Sequence, residues 1–117
     1  MRKIKQEIRI VGFDDAPFIP RSKGKVPVIG VVFRGGSFLD GVLRTDVTID
    51  GMDATQILID VINRSKHKQQ LRAIMLKGIT VGGFNMIDIA ELNEKTGLPI
   101  IVVNRKMPNL KDIKNAL

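Results

Sequence analysis

The sequence predicts one α/β domain, residues 1–117, built on a mixed five-stranded sheet with helices on both faces. Three observations predict it. Apolar residues alternate with period two in the first half and switch to period 3.6 after residue 50. Gly and Pro clusters cut the chain at the spacing of short strands. No linker, repeat or low-complexity tract divides the 117 residues, and a chain of that length can bury roughly two-thirds of its unfolded surface around one core. Five Phe and no Tyr or Trp leave Ile, Val, Leu and Met to fill that core.

The elements follow in order. Glu7 to Phe13 alternates and then turns apolar, as a central strand does, and the turn residues Asp14, Asp15 and Pro17 are expected to end it. Pro20 to Lys25 is a polar loop, and Val26 to Phe33 is a β-branched second strand. Gly35-Gly36-Ser37 and Asp40-Gly41 bracket a connection to a third strand, Val42 to Ile49. Asp53-Ala54-Thr55-Gln56 has the spacing of a helix start, with Asp53 as N-cap. Ile57, Leu58, Val61 and Ile62 then share one face of a helix that ends near Ser65. The lone histidine, His67, sits among lysines and reads as a solvated surface residue.

Leu71 to Leu76 is a short buried strand, followed by a flexible glycine loop, Gly78 to Gly83. Asn85 and Asp88 can cap a second helix carrying Phe84, Ile87, Ala90 and Leu92, which Gly97 and Pro99 stop. Ile100 to Val103 is a fifth strand, and a third helix begins near Asn109 with Leu110, Ile113 and Leu117. The order is β-β-β-α-β-α-β-α. Strands joined through helices run parallel with right-handed crossovers, while the first three form an antiparallel meander. This is the ribonuclease H-like plan.

Nineteen Lys and Arg against twelve Asp and Glu give a net charge of +7. A basic domain attracts polyanions, so DNA or RNA is the expected partner, the alternative being an ordinary lysine-rich surface. The absence of cysteine removes disulfides and thiolate chemistry. No apolar run reaches the ~20 residues of a membrane span, and a cytoplasmic location without membrane contact is expected. A homo-oligomer is compatible with the apolar helix faces.

Phosphodiester cleavage on such a sheet needs carboxylates at the mouths of neighbouring strands, about 4.8 Å apart, where they share hard cations. Asp14 stands at the mouth of the first strand with Asp15 beside it, and alternation turns only one of them toward a site. The competing reading of Asp14 is a turn residue before Pro17. The matching position on the fourth strand holds Lys77, which would repel magnesium and can pair with Asp14 instead. At ~4 Å that pair attracts by about 4 kcal/mol before desolvation, for an effective dielectric near 20. Asp50 is the further acid able to reach the mouth, or else a turn residue before Gly51. The run from Lys77 to Gly83, with Gly78, Gly82 and Gly83, has some phosphate-binding character or else merely eases a tight passage into the next helix.

The segments Gly12 to Phe18, Gly30 to Gly36, Leu76 to Thr80 with Gly83 to Asn85, and Thr96 to Val103 resemble the archaeal family called domain of unknown function ninety-nine. Members of that family are similar to endonuclease V. The resemblance implies a ribonuclease H-like fold and magnesium- or manganese-dependent cleavage of nucleic acid. It implies that Asp14 is the first-strand metal-binding aspartate, and that Asp50 lies nearest the family's acid between third strand and first helix. It further implies that Lys77 replaces the fourth-strand aspartate and that Arg105 lies near a basic residue of the site. The chain is shorter than members of that family, so it is expected to lack their C-terminal part.

Overall fold

The computed structural model describes residues 8–16, 23–35 and 38–103. The predicted third helix and Arg105 lie outside the described residues. Strand β1 (Arg9–Asp15) pairs antiparallel with β2 (Lys25–Arg34), and β2 pairs antiparallel with β3 (Phe38–Thr48). Helix α1 (Ala54–Arg64) and a 3-10 turn (Lys68–Gln70) lead into β4 (Leu71–Lys77), which lies parallel to β1. A two-residue ribbon, β5 (Thr80–Val81) with β6 (Asn85–Met86), precedes α2 (Ile89–Thr96). The last described strand, β7 (Ile100–Val103), runs parallel to β4. The sheet order is β3-β2-β1-β4-β7, a mixed sheet of five strands.

Both described helices lie on one face. Val11 and Phe13 of β1 and Ile74 and Leu76 of β4 are buried in one core with Leu58 and Ile62 of α1 and Leu92 of α2. Two right-handed crossovers that move the same way along a sheet must place their helices on the same side. The expectation of helices on both faces is therefore corrected for the described residues. Ile10, Gly12, Met75 and Phe33 alternate onto the other face, where they line a shallow apolar hollow of about 220 Å³.

The strand limits differ from expectation at instructive places. β1 continues through Asp15, because Asp14 and Asp15 still pair with Ile29 and Val28. The turn reading of Asp14 is thus overturned. β3 begins at Phe38 rather than Val42, with a register shift opposite Val32 and Phe33 that leaves Asp40 as the extra residue. Arg9 holds that bulge, its Nε lying 2.7 Å from Asp40 Oδ2. His67 is buried rather than solvated. The turn after α1 folds it back over Gly41, where a Cβ would strike the imidazole, so the missing side chain is what admits the ring.

α1 begins where Asp53 predicts and stops at Ser65, but its cap differs from the expected one. α2 begins one residue after Asp88, whose Oδ1 accepts the Glu91 N–H at 3.0 Å. Gly97 ends it in the left-handed conformation, φ +74°. Phe84 belongs to the ribbon turn, not to this helix, and is exposed. Among the described residues, no helix is long and apolar enough to cross a membrane.

Candidate functional site

The mouth formed by the C-terminal ends of β1 and β4 collects the residues that the sequence singles out. In the parallel register Gly12 lies beside Met75 and Phe13 beside Leu76, which brings the next pair, Asp14 and Lys77, side by side. Lys77 Nζ lies 3.2 Å from Asp14 Oδ2. Both side chains are about half exposed, so the pair is a solvated ion pair worth no more than about 1 kcal/mol of stability. Asp14 shares the face of Ile10 and Gly12; Asp15 shares the face of Val11 and Phe13 and points under the helices.

Asp15 and Asp50 do one job together. Asp15 Oδ2 accepts the Gly82 N–H at 2.8 Å, and Asp50 Oδ1 accepts the Phe84 N–H at 2.8 Å. The backbone closes the same link, since the Asp50 N–H donates to the Gly82 carbonyl at 2.8 Å. The three-residue connection between β5 and β6 needs positive φ at Gly82 (+55°) and Gly83 (+83°), and a Cβ on Gly83 would strike the Asp50 carboxylate. The expected flexible glycine loop is instead a ribbon whose turn is held by two aspartates. Its amides are correspondingly committed: Gly82 to Asp15, Phe84 to Asp50, and Gly78 to the Val103 carbonyl at 2.9 Å. A phosphate cradle made of the Gly78 and Gly82 amides would have to displace these acceptors.

Behind the turn lies a residue whose role the sequence reading missed. Asn85 is fully buried, and its Nδ2 donates to the Thr48 carbonyl at 2.8 Å and to Asp53 Oδ1 at 2.6 Å. Its Oδ1 accepts the Ala54 N–H at 3.0 Å, so Asn85 caps α1 from a distant segment. Asp53 does not cap the helix it precedes. It turns back to Thr48, accepting from the backbone N–H at 3.1 Å and from Oγ1 at 2.7 Å. Burial alone would raise the Asp53 carboxyl, but the hydrogen bonds from Thr48 and Asn85 outweigh it and hold it below the ordinary carboxylate value. The only sequence signal for this hub was an Asn directly after Gly-Gly-Phe.

As arranged, these oxygens do not suit a divalent cation. An ammonium occupies Asp14, while the Asp15 and Asp50 carboxylates are turned onto backbone amides. Among the described residues, no three Asp, Glu or His side chains are grouped closely enough to share an ion. A second polar cluster, Arg9, Arg34 and Asp40, lies at the opposite end of β1. The Arg9 hydrogen bond there holds the Asp40 carboxyl below its usual value, against a smaller upward push from burial. A groove of about 550 Å³ between β3 and α1 is lined by Arg44, Thr45, Asp60 and Arg64 among others, with Arg44 level with Asp14 two strands across the sheet.

Comparison with known proteins places the chain in a family. The chain is 60% identical over 116 residues to a UPF0215 protein of Methanothermobacter thermautotrophicus, covering 99% of this chain and 57% of that one. It is 47% identical over 118 residues to a UPF0215 protein of Pyrococcus horikoshii, covering 100% of this chain and 61% of the relative. It thus spans about three-fifths of the length of these relatives. Among solved structures, it is similar to a protein of unknown function from Archaeoglobus fulgidus. That match has a TM-score of 0.77 and 41% identity, and covers 94% of this chain and 61% of the other. A family model described as Endonuclease dU matches residues 6–117, and the chain belongs to that family.

Proposed function

We propose that this chain is a nucleic-acid-binding domain of ribonuclease H-like, endonuclease V-like architecture whose metal-dependent phosphodiesterase site is degenerate. The single observation that carries this reading is the Lys77 ammonium lying 3.2 Å from Asp14 Oδ2. A two-metal phosphodiesterase needs a second carboxylate at that place to draw a cation between neighbouring strands. A fixed positive charge there repels the cation and satisfies the remaining acid. The net charge of +7 supports retention of polyanion binding, since phosphate contacts need lysine and arginine rather than a metal.

The family description, Endonuclease dU, favours a second reading, in which the protein cleaves DNA containing deoxyuridine. One assay separates the two. Labelled duplex and single-stranded DNA with one deoxyuridine is incubated with manganese and the wild type, Asp14→Ala or Lys77→Asp. On the reading preferred here the wild type binds, with affinity falling steeply as salt rises, and does not nick. Lys77→Asp recreates the paired acids and is expected to gain metal binding. Wild-type nicking that Asp14→Ala abolishes would establish the second reading instead.

A further inference from the structure

The ribbon turn fastened to Asp15, at the same end of the sheet as Asp14 and Lys77, presents an aromatic ring to solvent. Phe84 is 78% exposed, next to the exposed side chain of Met86. Of the other described phenylalanines, Phe13 is buried, Phe33 lies along the sheet face, and Phe38, though exposed, has the Arg34 guanidinium 5.5 Å over its ring. The turn tip is also rigidly built. Two glycines supply the left-handed backbone, and Asp15 and Asp50 fasten the turn on either side, with Asp50 bonded directly to the Phe84 amide.

The charges around the tip point to the partner. The carboxylates at this end of the sheet already hold protein groups: Asp15 and Asp50 the turn amides, Asp53 Thr48 and Asn85, and Asp14 the Lys77 ammonium. The ammonium groups are exposed. Lys77 ends β4 at this mouth, while Lys23 and Lys25 stand where β2 begins beside Thr48, at the same end of the sheet. An exposed aromatic ring at the sheet end that also carries exposed lysines fits a strand of nucleic acid, with phosphates on the lysines and a base on the ring.

We propose that Phe84 is a stacking platform for an unpaired base, and that Asp15 and Asp50 are positioning residues that aim it. This rests on the nucleic-acid reading above and adds to it the contact that selects single strands. Salt alone would not distinguish single strands from duplexes, whereas a ring at a turn tip needs a base already out of its stack.

The test measures binding of a labelled oligothymidylate and a duplex of equal length by anisotropy across a salt series. Phe84→Ala is expected to weaken single-strand binding about fivefold to a hundredfold, the range for losing one base–aromatic stack. The slope of log affinity against log salt should stay unchanged, because no phosphate contact is lost. Phe84→Trp should keep the affinity and, being the sole tryptophan of the chain, report base stacking directly by quenched fluorescence. Asp50→Ala removes a negative charge, so a purely electrostatic interface would bind more tightly; loss of affinity signals positioning. Asp50→Asn keeps an acceptor for the Phe84 amide and tolerates the φ of +54° at residue 50, and should rescue binding. Wild-type binding with unchanged affinity in Phe84→Ala, or an unquenched Phe84→Trp on a bound strand, overturns the stacking role alone. No oligonucleotide binding by the wild type overturns both this inference and the proposed function.

Discussion

Asn85→Ala is the most informative single change to the scaffold. The side chain is fully buried and makes three hydrogen bonds, to the Thr48 carbonyl, the Asp53 carboxylate and the Ala54 amide. Truncation leaves the buried Ala54 N–H without its acceptor, at about 1–3 kcal/mol, and removes a charge-assisted bond from Asp53 at about 1.5–3 kcal/mol. The loss should total about 3–5 kcal/mol, a large fraction of the roughly 5–15 kcal/mol that stabilises an ordinary domain. At about 4 °C per kcal/mol for a chain of this size, Tm should fall by about 12–20 °C. Far-ultraviolet circular dichroism in urea is the natural assay, since the wild type has no Trp or Tyr to report unfolding. Asn85→Asp keeps the acceptor for Ala54 but sets two carboxylates against each other, and should also destabilise. A loss below about 1 kcal/mol in Asn85→Ala would refute the idea that this residue joins the ribbon, β3 and α1.

Other outcomes follow from the same contacts. The Asp53 carboxyl is lowered in the fold, so its contribution is complete above its unfolded value near about 3.9 and is lost as pH falls through the lower folded value. Wild-type urea midpoints should therefore drop in acid below about pH 4, and Asp53→Asn should flatten that part of the profile. Gly83→Ala forces an L-residue into φ +83° against Asp50 and should cost about 1–2 kcal/mol or more, seen as a lower urea midpoint. Lys77→Met removes only an exposed ion pair and should change stability by less than about 1 kcal/mol, while weakening the binding of nucleic acid.

Much of the sheet was legible because strands joined through helices must run parallel and a chain with no dividing linker must bury one core. Val11, Phe13, Ile74 and Leu76 carry that pattern in plain periodicity. Lys77 opposite Asp14 was legible too, since both end strands that the topology makes neighbours. What local pattern could not show were choices made between distant segments. Asp53 looks like a cap because Asp before a helix normally caps it, yet Asn85, thirty-two residues away, takes that role and frees Asp53 for Thr48. His67 looks solvated among lysines, and only its apposition to Gly41 buries it. Asp50 offers a plain turn signal before Gly51, and only the folded ribbon brings the Phe84 amide to its carboxylate.

Manganese titration followed by electron paramagnetic resonance, on the wild type and Lys77→Asp side by side, probes the mouth of β1 and β4 most directly. Free-ion signal should persist with the wild type and be depleted by the variant, in which two carboxylates replace the ion pair. Stoichiometric uptake by the wild type that Asp14→Ala abolishes would contradict the account, because the ammonium at Lys77 would then not be keeping cations from Asp14.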